Sequence, residues 1–292
     1  MFSILNVAHE ISRNRYVKLR SLTGILGLLG LVGLTSAPAH AQFVQAYWAG
    51  DGNLLDSSGN GLTLTGVGSP TYAAGLNQQA FSLNGSSYLT TVSPTSTLVN
   101  TSFAVSAWVN FSALNFSSAG NLPNTIIAQD NGGGTTEKFV FYYDAASHSL
   151  GVHENGVHGS YFGEVSLSTP ITTGTWNMLT VSADELADTL SFYENSTLVG
   201  TLSGMPWSDP TAGITIGAAE GIGFSTGLIQ DVGIYYAGFT GAEVGNLYDT
   251  PPGPTPPHPW IGGSSTPEPG QFALLIGISA TAVATIRRRR RV

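Results

Sequence analysis

His153 and His158 flank Asn155-Gly156, a dipeptide that favours a two-residue hairpin turn. With that turn, Glu154 faces Val157 and His153 faces His158 directly across the strands. Two imidazoles so placed can share a transition metal if a third ligand arrives from elsewhere; without one they are two surface histidines on a polar face. Carboxylates offer less. The densest acidic group, Asp184-Glu185 with Asp188, has the spacing of a solvated hairpin turn. No G-x-S-x-G context for a nucleophilic serine occurs, and no catalytic residue is assigned. Flat aromatic faces are the other chemically useful groups, because sugars stack on them. Trp207, between Pro206 and Ser208-Asp209-Pro210, has a loop context and is expected to be exposed, with Tyr161 and Phe162 next.

The elements that would position these residues are strands. Short runs rich in Val, Ile, Thr, Phe and Tyr recur between Gly, Asn, Asp and Ser turns across residues 42–249. Phe103–Phe111, Lys138–Tyr143, Trp176–Ala183, Thr189–Glu194, Thr197–Leu202 and Leu228–Tyr236 are the clearest, with Asn195-Ser196 as a hairpin turn. In the first of these Phe103, Val105, Ala107, Val109 and Phe111 share one face and Trp108 lies on the other. Bulk on both faces predicts a sheet covered on both sides. One helix is predicted near residue 240, where Thr240 and Glu243 form a capping box ahead of Val244, Leu247 and Tyr248.

Both ends of the chain read as addresses. Arg13, Arg15, Lys18 and Arg20 precede an apolar run from Leu22 to Leu34, and Ala39-His40-Ala41 precedes Gln42. These are the parts of a secretory signal peptide over residues 1–41, cut between Ala41 and Gln42 by signal peptidase after passage through the Sec translocon. Residues 250–266, rich in Pro, Gly and Ser, form a linker. Then come Pro267, Glu268 and Pro269, an apolar stretch from Phe272 to Ile286, and Arg287, Arg288, Arg289, Arg290 and Arg291. The arginines belong on the cytoplasmic side of a short membrane helix. Residues 267–292 resemble the PEP-CTERM sorting signal, which implies a transient inner-membrane anchor, removal by an exosortase, and a final place on the cell surface or outside a Gram-negative-type cell.

Removing both ends leaves Lys138 as the one base against 17 acids in residues 42–270, a net charge near −16. Such a domain cannot neutralise phosphates, which excludes nucleic acid. Its surface must rest on hydroxyls and amides, which suits neutral sugars. The chain has no cysteine, so its stability comes from a core or a bound metal.

Three segments together resemble the LamG-like, concanavalin A-like lectin/glucanase jelly roll. The first is Tyr47-Trp48, Asp51-Gly52-Asn53 and Asp56-Ser57-Ser58-Gly59-Asn60-Gly61, with Gln79–Leu89 following; the second is Phe103–Val109 with Gly174–Val181 and Phe192–Asn195; the third is Ile229–Tyr235 before the capped helix. The resemblance implies an all-β jelly-roll β-sandwich, with Trp108 and Trp176 as core residues. It also implies a structural Ca2+ tying the first loop to the last strand, through Asp56, Asn60 and Asp231, all oxygen donors of the kind calcium takes. The alternative is that Asp56 makes an Asx-turn with its neighbours. Gly233, where relatives carry Arg, and Gln230, where they carry Asp, depart from the pattern. Jelly-roll glycanases line their cleft with E-x-D-x-x-E on one strand face, and that string is missing here. Two functions remain: a non-catalytic module for an extracellular glycan or matrix, or a structural envelope or biofilm component without a discrete ligand.

Overall fold

The computed structural model describes residues 44–91, 101–130, 138–156, 159–205, 207–208, 210–250 and 253–256. Ala39, Ala41, Gln42, His158 and the sorting residues Pro267 to Arg291 lie outside these. No helix among the described residues is long and apolar enough to cross a membrane.

The described residues fold as two antiparallel sheets in a jelly-roll sandwich. One sheet contains β1 (Val44–Trp48), β3 (Thr71–Ala74), β4 (Gln79–Asn84), β6 (Phe103–Ala113), β11 (Asn177–Asp184), β12 (Thr189–Glu194), β13 (Thr197–Ser203) and β15 (Thr226–Tyr235). Its order is β13-β12-β11-β6-β15-β4-β3, with β1 paired to β15 off this path. The other contains β2 (Leu64–Val67), β5 (Tyr88–Thr91), β7 (Thr125–Asp130), β8 (Lys138–Asp144), β9 (Ser149–Gly156), β10 (Gly159–Ser166) and β14 (Ile214–Ile216). Its order is β10-β9-β8-β7-β14-β5-β2.

Alternation along the strands builds the core. Phe103, Val105, Ala107, Val109 and Phe111 of β6 enter the cluster between the sheets, as their spacing predicts. They meet the other sheet through aromatic contacts, Phe103 edge-on to Phe139 with ring centres 5.1 Å apart and Phe111 stacked on Tyr143 at 6.1 Å. Ala104 and Trp108 face outward, where helix α1 (Gly241–Asp249) covers them with Val244, Leu247 and Tyr248. The capping box forms as read: Glu243 N donates to Thr240 Oγ1 while Thr240 N donates to Glu243 Oε2. Trp108 stacks on Tyr248 at 5.3 Å and stays half-buried, as does Trp176, so neither is the buried core residue expected. Trp48 fills that role, fully buried, its indole N–H donating to Leu62 O at 2.7 Å.

The hairpin turns follow local chemistry. Glu194 pairs with Thr197 around Asn195-Ser196, with Asn195 in the left-handed region at φ 56° that its side chain tolerates. Asp184 pairs with Thr189, and Asp184 Oδ1 accepts from Leu186 N and Ala187 N inside the turn. The acidic cluster is a turn.

Candidate functional site

Tyr47 joins the first loop to the last strand. Its backbone N–H donates to Asp56 Oδ1 at 3.0 Å, and its hydroxyl donates to Asp231 Oδ1. Asp56 also accepts from Ser58 N, Ser58 Oγ and Leu62 N, which makes it the organiser of an Asx-turn. Asn60 directs its amide nitrogen at the carbonyls of Val44 and Gln45, 3.1 and 3.0 Å away. Asp231 sits at φ 50° in a β-bulge and accepts from Tyr47, Gln230 Nε2 and Gly253 N. The two carboxylates therefore hold opposite ends of one tyrosine, and their oxygens are engaged with protein donors. That donor set does not fit a shared calcium, and no group of three or more His, Cys, Asp or Glu able to hold a metal occurs among the described residues. Burial pushes the Asp231 carboxyl up to about 7, with nearby Asp51 adding to the rise, while the Tyr47, Gln230 and Gly253 hydrogen bonds hold it down.

The β9–β10 register corrects the expected histidine pair. Gly156 faces Gly159, so the strands run two residues past the predicted turn and His153 faces Phe162 instead of His158. Strand continuity outweighs the Asn-Gly signal here, since Asn155 pairs with Lys138 of β8 on one side and Ser160 of β10 on the other. The His153 ring stacks on Phe162 at 3.6 Å, 16° from parallel. Burial, with Lys138 adding a like charge, lowers its pKa to about 4. Lys138 in turn pairs with Asp130 at 3.3 Å. An imidazole kept neutral beside an ammonium is a poor cation ligand. Tyr161, on the same hairpin, packs on the core, and its hydroxyl donates to Ser203 O on β13 at 3.4 Å. Trp207 is half-buried against the core rather than exposed.

The Tyr161–Ser203 contact belongs to one lateral side of the sandwich, where edge strands β10 and β13 meet. A Cβ on Gly163 would lie 2.8 Å from Leu202, and one on Gly200 would lie 2.6 Å from Val165. The side is sealed. The opposite side, bounded by edge strands β2 and β3, holds a cavity of about 250 Å³. Leu54, Pro70, Phe81 and Leu89 give it apolar walls, and half-buried Tyr72 with exposed Ser69 adds hydroxyls, while Thr71, paired with Ser82, turns to the outer face. The Tyr72 ring lies 5.8 Å from Phe81, and burial raises its phenol above the usual value. Tyr72 went unnoticed in the sequence. The available signal was an aromatic two residues after the turn residues Gly68-Ser69-Pro70.

The profile of the Laminin_G_3 family, described as the concanavalin A-like lectin/glucanases superfamily, matches residues 83–245. The chain belongs to this superfamily. Among its structural relatives is domain 4 of AbnA, a GH43 extracellular arabinanase from Geobacillus stearothermophilus, solved in complex with arabinotriose. It is 22% identical with a TM-score of 0.58, over 71% of this chain and 98% of that one. The binding domain of Paraclostridial Mosquitocidal Protein 1 is 16% identical with a TM-score of 0.51, over 71% of this chain and 51% of that one. The binding domain of botulinum neurotoxin DC, in complex with SialylT, is 15% identical with a TM-score of 0.51, over 70% and 50%. This concanavalin A-like chain thus spans about half the length of the toxin binding domains. At these identities the likeness is one of fold. No curated protein matches it.

Proposed function

We propose that the chain is an exported, non-catalytic carbohydrate-binding module, delivered by its signal segment and released from a transient membrane anchor by an exosortase. The observation that carries binding is the fold shared over 98% of a domain solved with arabinotriose, in a chain whose own domain is uncharged at its recess. The missing E-x-D-x-x-E string supports a non-catalytic role. Delivery rests on the residues at both ends, Ala39-His40-Ala41 and Pro267-Glu268-Pro269 with its arginine cluster.

A structural role without a discrete ligand is the second reading. It is favoured by the outward row Thr65–Thr90–Thr215, which stands in register across β2, β5 and β14 as a plain hydroxyl surface. A glycan array probed with the protein recovered from its own cells separates the two. Binding to defined glycans supports the module, and a blank array favours the structural component. Mass spectrometry of the same sample is expected to start at Gln42 and to lack Arg287–Arg291. Arginines retained on the released protein would refute the sorting route.

A further inference from the structure

The carbohydrate reading leaves open where a sugar sits and what kind it is. The cavity between β2 and β3 answers both through size, wall chemistry and charge. At about 250 Å³ it falls below the roughly 300–1,000 Å³ of sites that enclose drug-sized molecules. It exceeds the ~150 Å³ that accommodates benzene. One six- or five-membered ring with its hydroxyls is the fragment that matches. The walls divide in the way a sugar ring does. Half-buried Leu54 and Pro70, backed by buried Phe81 and Leu89, present apolar surface to a C–H face, while the hydroxyls of Tyr72 and Ser69 can meet equatorial O–H groups.

Charge decides the class. Residues 42–270 carry 17 acids and one base, yet no charged residue lines this cavity. A neutral site inside a strongly negative domain rejects acidic ligands through the surrounding field and offers them no cationic partner. Lys138, the only base, lies in β8 and is paired with Asp130. The described candidates of the β9–β10 hairpin, His153 and Tyr161, sit elsewhere, beside the β10–β13 edge, where the strands approach closely at Gly163 and Gly200.

We propose that the cavity between β2 and β3 is the carbohydrate site and that it takes one uncharged sugar ring of a neutral glycan. This rests on the carbohydrate-binding reading and adds its location and ligand class.

Calorimetric titration of the full-length protein tests it, with arabinotriose, cellotriose and laminaritriose as neutral probes and sialyllactose and trigalacturonate as acidic ones. At least one neutral trisaccharide is expected to bind and neither acidic one. Tyr72→Ala, which removes a wall, and Leu54→Trp, which fills the recess from a half-buried position, should each weaken binding about tenfold or more. Phe162→Ala, at the β10–β13 edge, should leave it unchanged. If Tyr72→Ala fails to fold, Leu54→Trp alone decides the location. Neutral binding that survives Leu54→Trp overturns the location and leaves the carbohydrate reading standing. Equal affinity for the acidic probes overturns the ligand class. No binding by the unaltered protein to any probe overturns both.

Discussion

The two lateral sides of the sandwich are built from the same kind of part, an edge strand from each sheet, and end differently. Along β10 and β13, glycines at 163 and 200 let Leu202 and Val165 press onto opposing backbone, and the side chains close the gap. Along β2 and β3, the turn through Gly68-Ser69-Pro70 carries the chain from one sheet to the other and leaves a recess walled by Tyr72. Aromatic residues near turns serve both ends. On one side Tyr161 seals an edge; on the other Tyr72 lines a cavity. Residue type alone does not tell a seal from a site, and the deciding quantity is the space left between edges.

The sharpest way to break this comparison is through the two buried titrating groups, one on each side. Asp231, with Gln230, holds the β3–β4 hairpin bordering the open side, where Leu76 N donates to Gln230 Oε1 at 2.8 Å. Its carboxyl is protonated in the fold up to about pH 7 but ionised in the unfolded chain above about 3.9. Its contribution is therefore full below pH 4 and lost as pH rises through about 7, worth up to about 4 kcal/mol. His153, on the sealed side, has the opposite sign. The fold keeps it neutral down to about pH 4 while the unfolded chain takes up a proton near 6.5, so its contribution is lost as pH falls through that window. Partial solvent contact limits it to about 1–2 kcal/mol. Thermal melts should show wild-type stability falling from pH 4 to 7. Asp231→Asn should reverse that slope and His153→Gln should steepen it. An unchanged profile in Asp231→Asn would show that this carboxyl is ionised in the fold.

Packing gives the next effect. Gly163→Val drives a branched side chain into Leu202 and should cost about 1–3 kcal/mol in a urea titration. Leu54→Trp, directed into the cavity of the open side, should stay within about 1 kcal/mol. Equal costs would mean that both sides are sealed. The smallest expected effect is that of calcium. Because Tyr47 already joins the Asp56 loop to Asp231, calcium and sodium at matched ionic strength should give the same melting temperature. A rise specific to calcium, lost in Asp56→Ala, would restore the metal tie.

Much of the frame was legible because its signals are local and periodic. The odd-position face of β6, the Asn195-Ser196 turn and the Thr240–Glu243 cap each depend on residues a few positions apart. The Asn155-Gly156 turn misled for the same reason: its local preference was overridden by pairs with β8, a long-range contact that one segment does not announce. Trp207 was placed by loop context and Trp176 by the family resemblance, and both lie half-buried instead. Tyr47 could not be recognised as a tie, since its partners Asp56 and Asp231 are 9 and 184 residues away. The cavity was the least visible feature, because it is a gap between strands rather than a property of any one of them.

The contact of Gly253 with Tyr47 and Asp231 has a mechanical consequence. Tyr47 Oη donates to Gly253 O at 3.0 Å and Gly253 N donates to Asp231 Oδ1 at 3.3 Å, so the chain returns to the sheet after α1 before it continues into the Pro-rich segment. Tension applied beyond residue 256 reaches this clamp before it reaches the helix. It is passed to the middle of β15, the strand bonded to β6 along one edge and to β1 and β4 along the other. A tether pulled from that end would draw on the best-braced strand of the domain, and α1 would stay seated over Trp108 until the clamp had slipped.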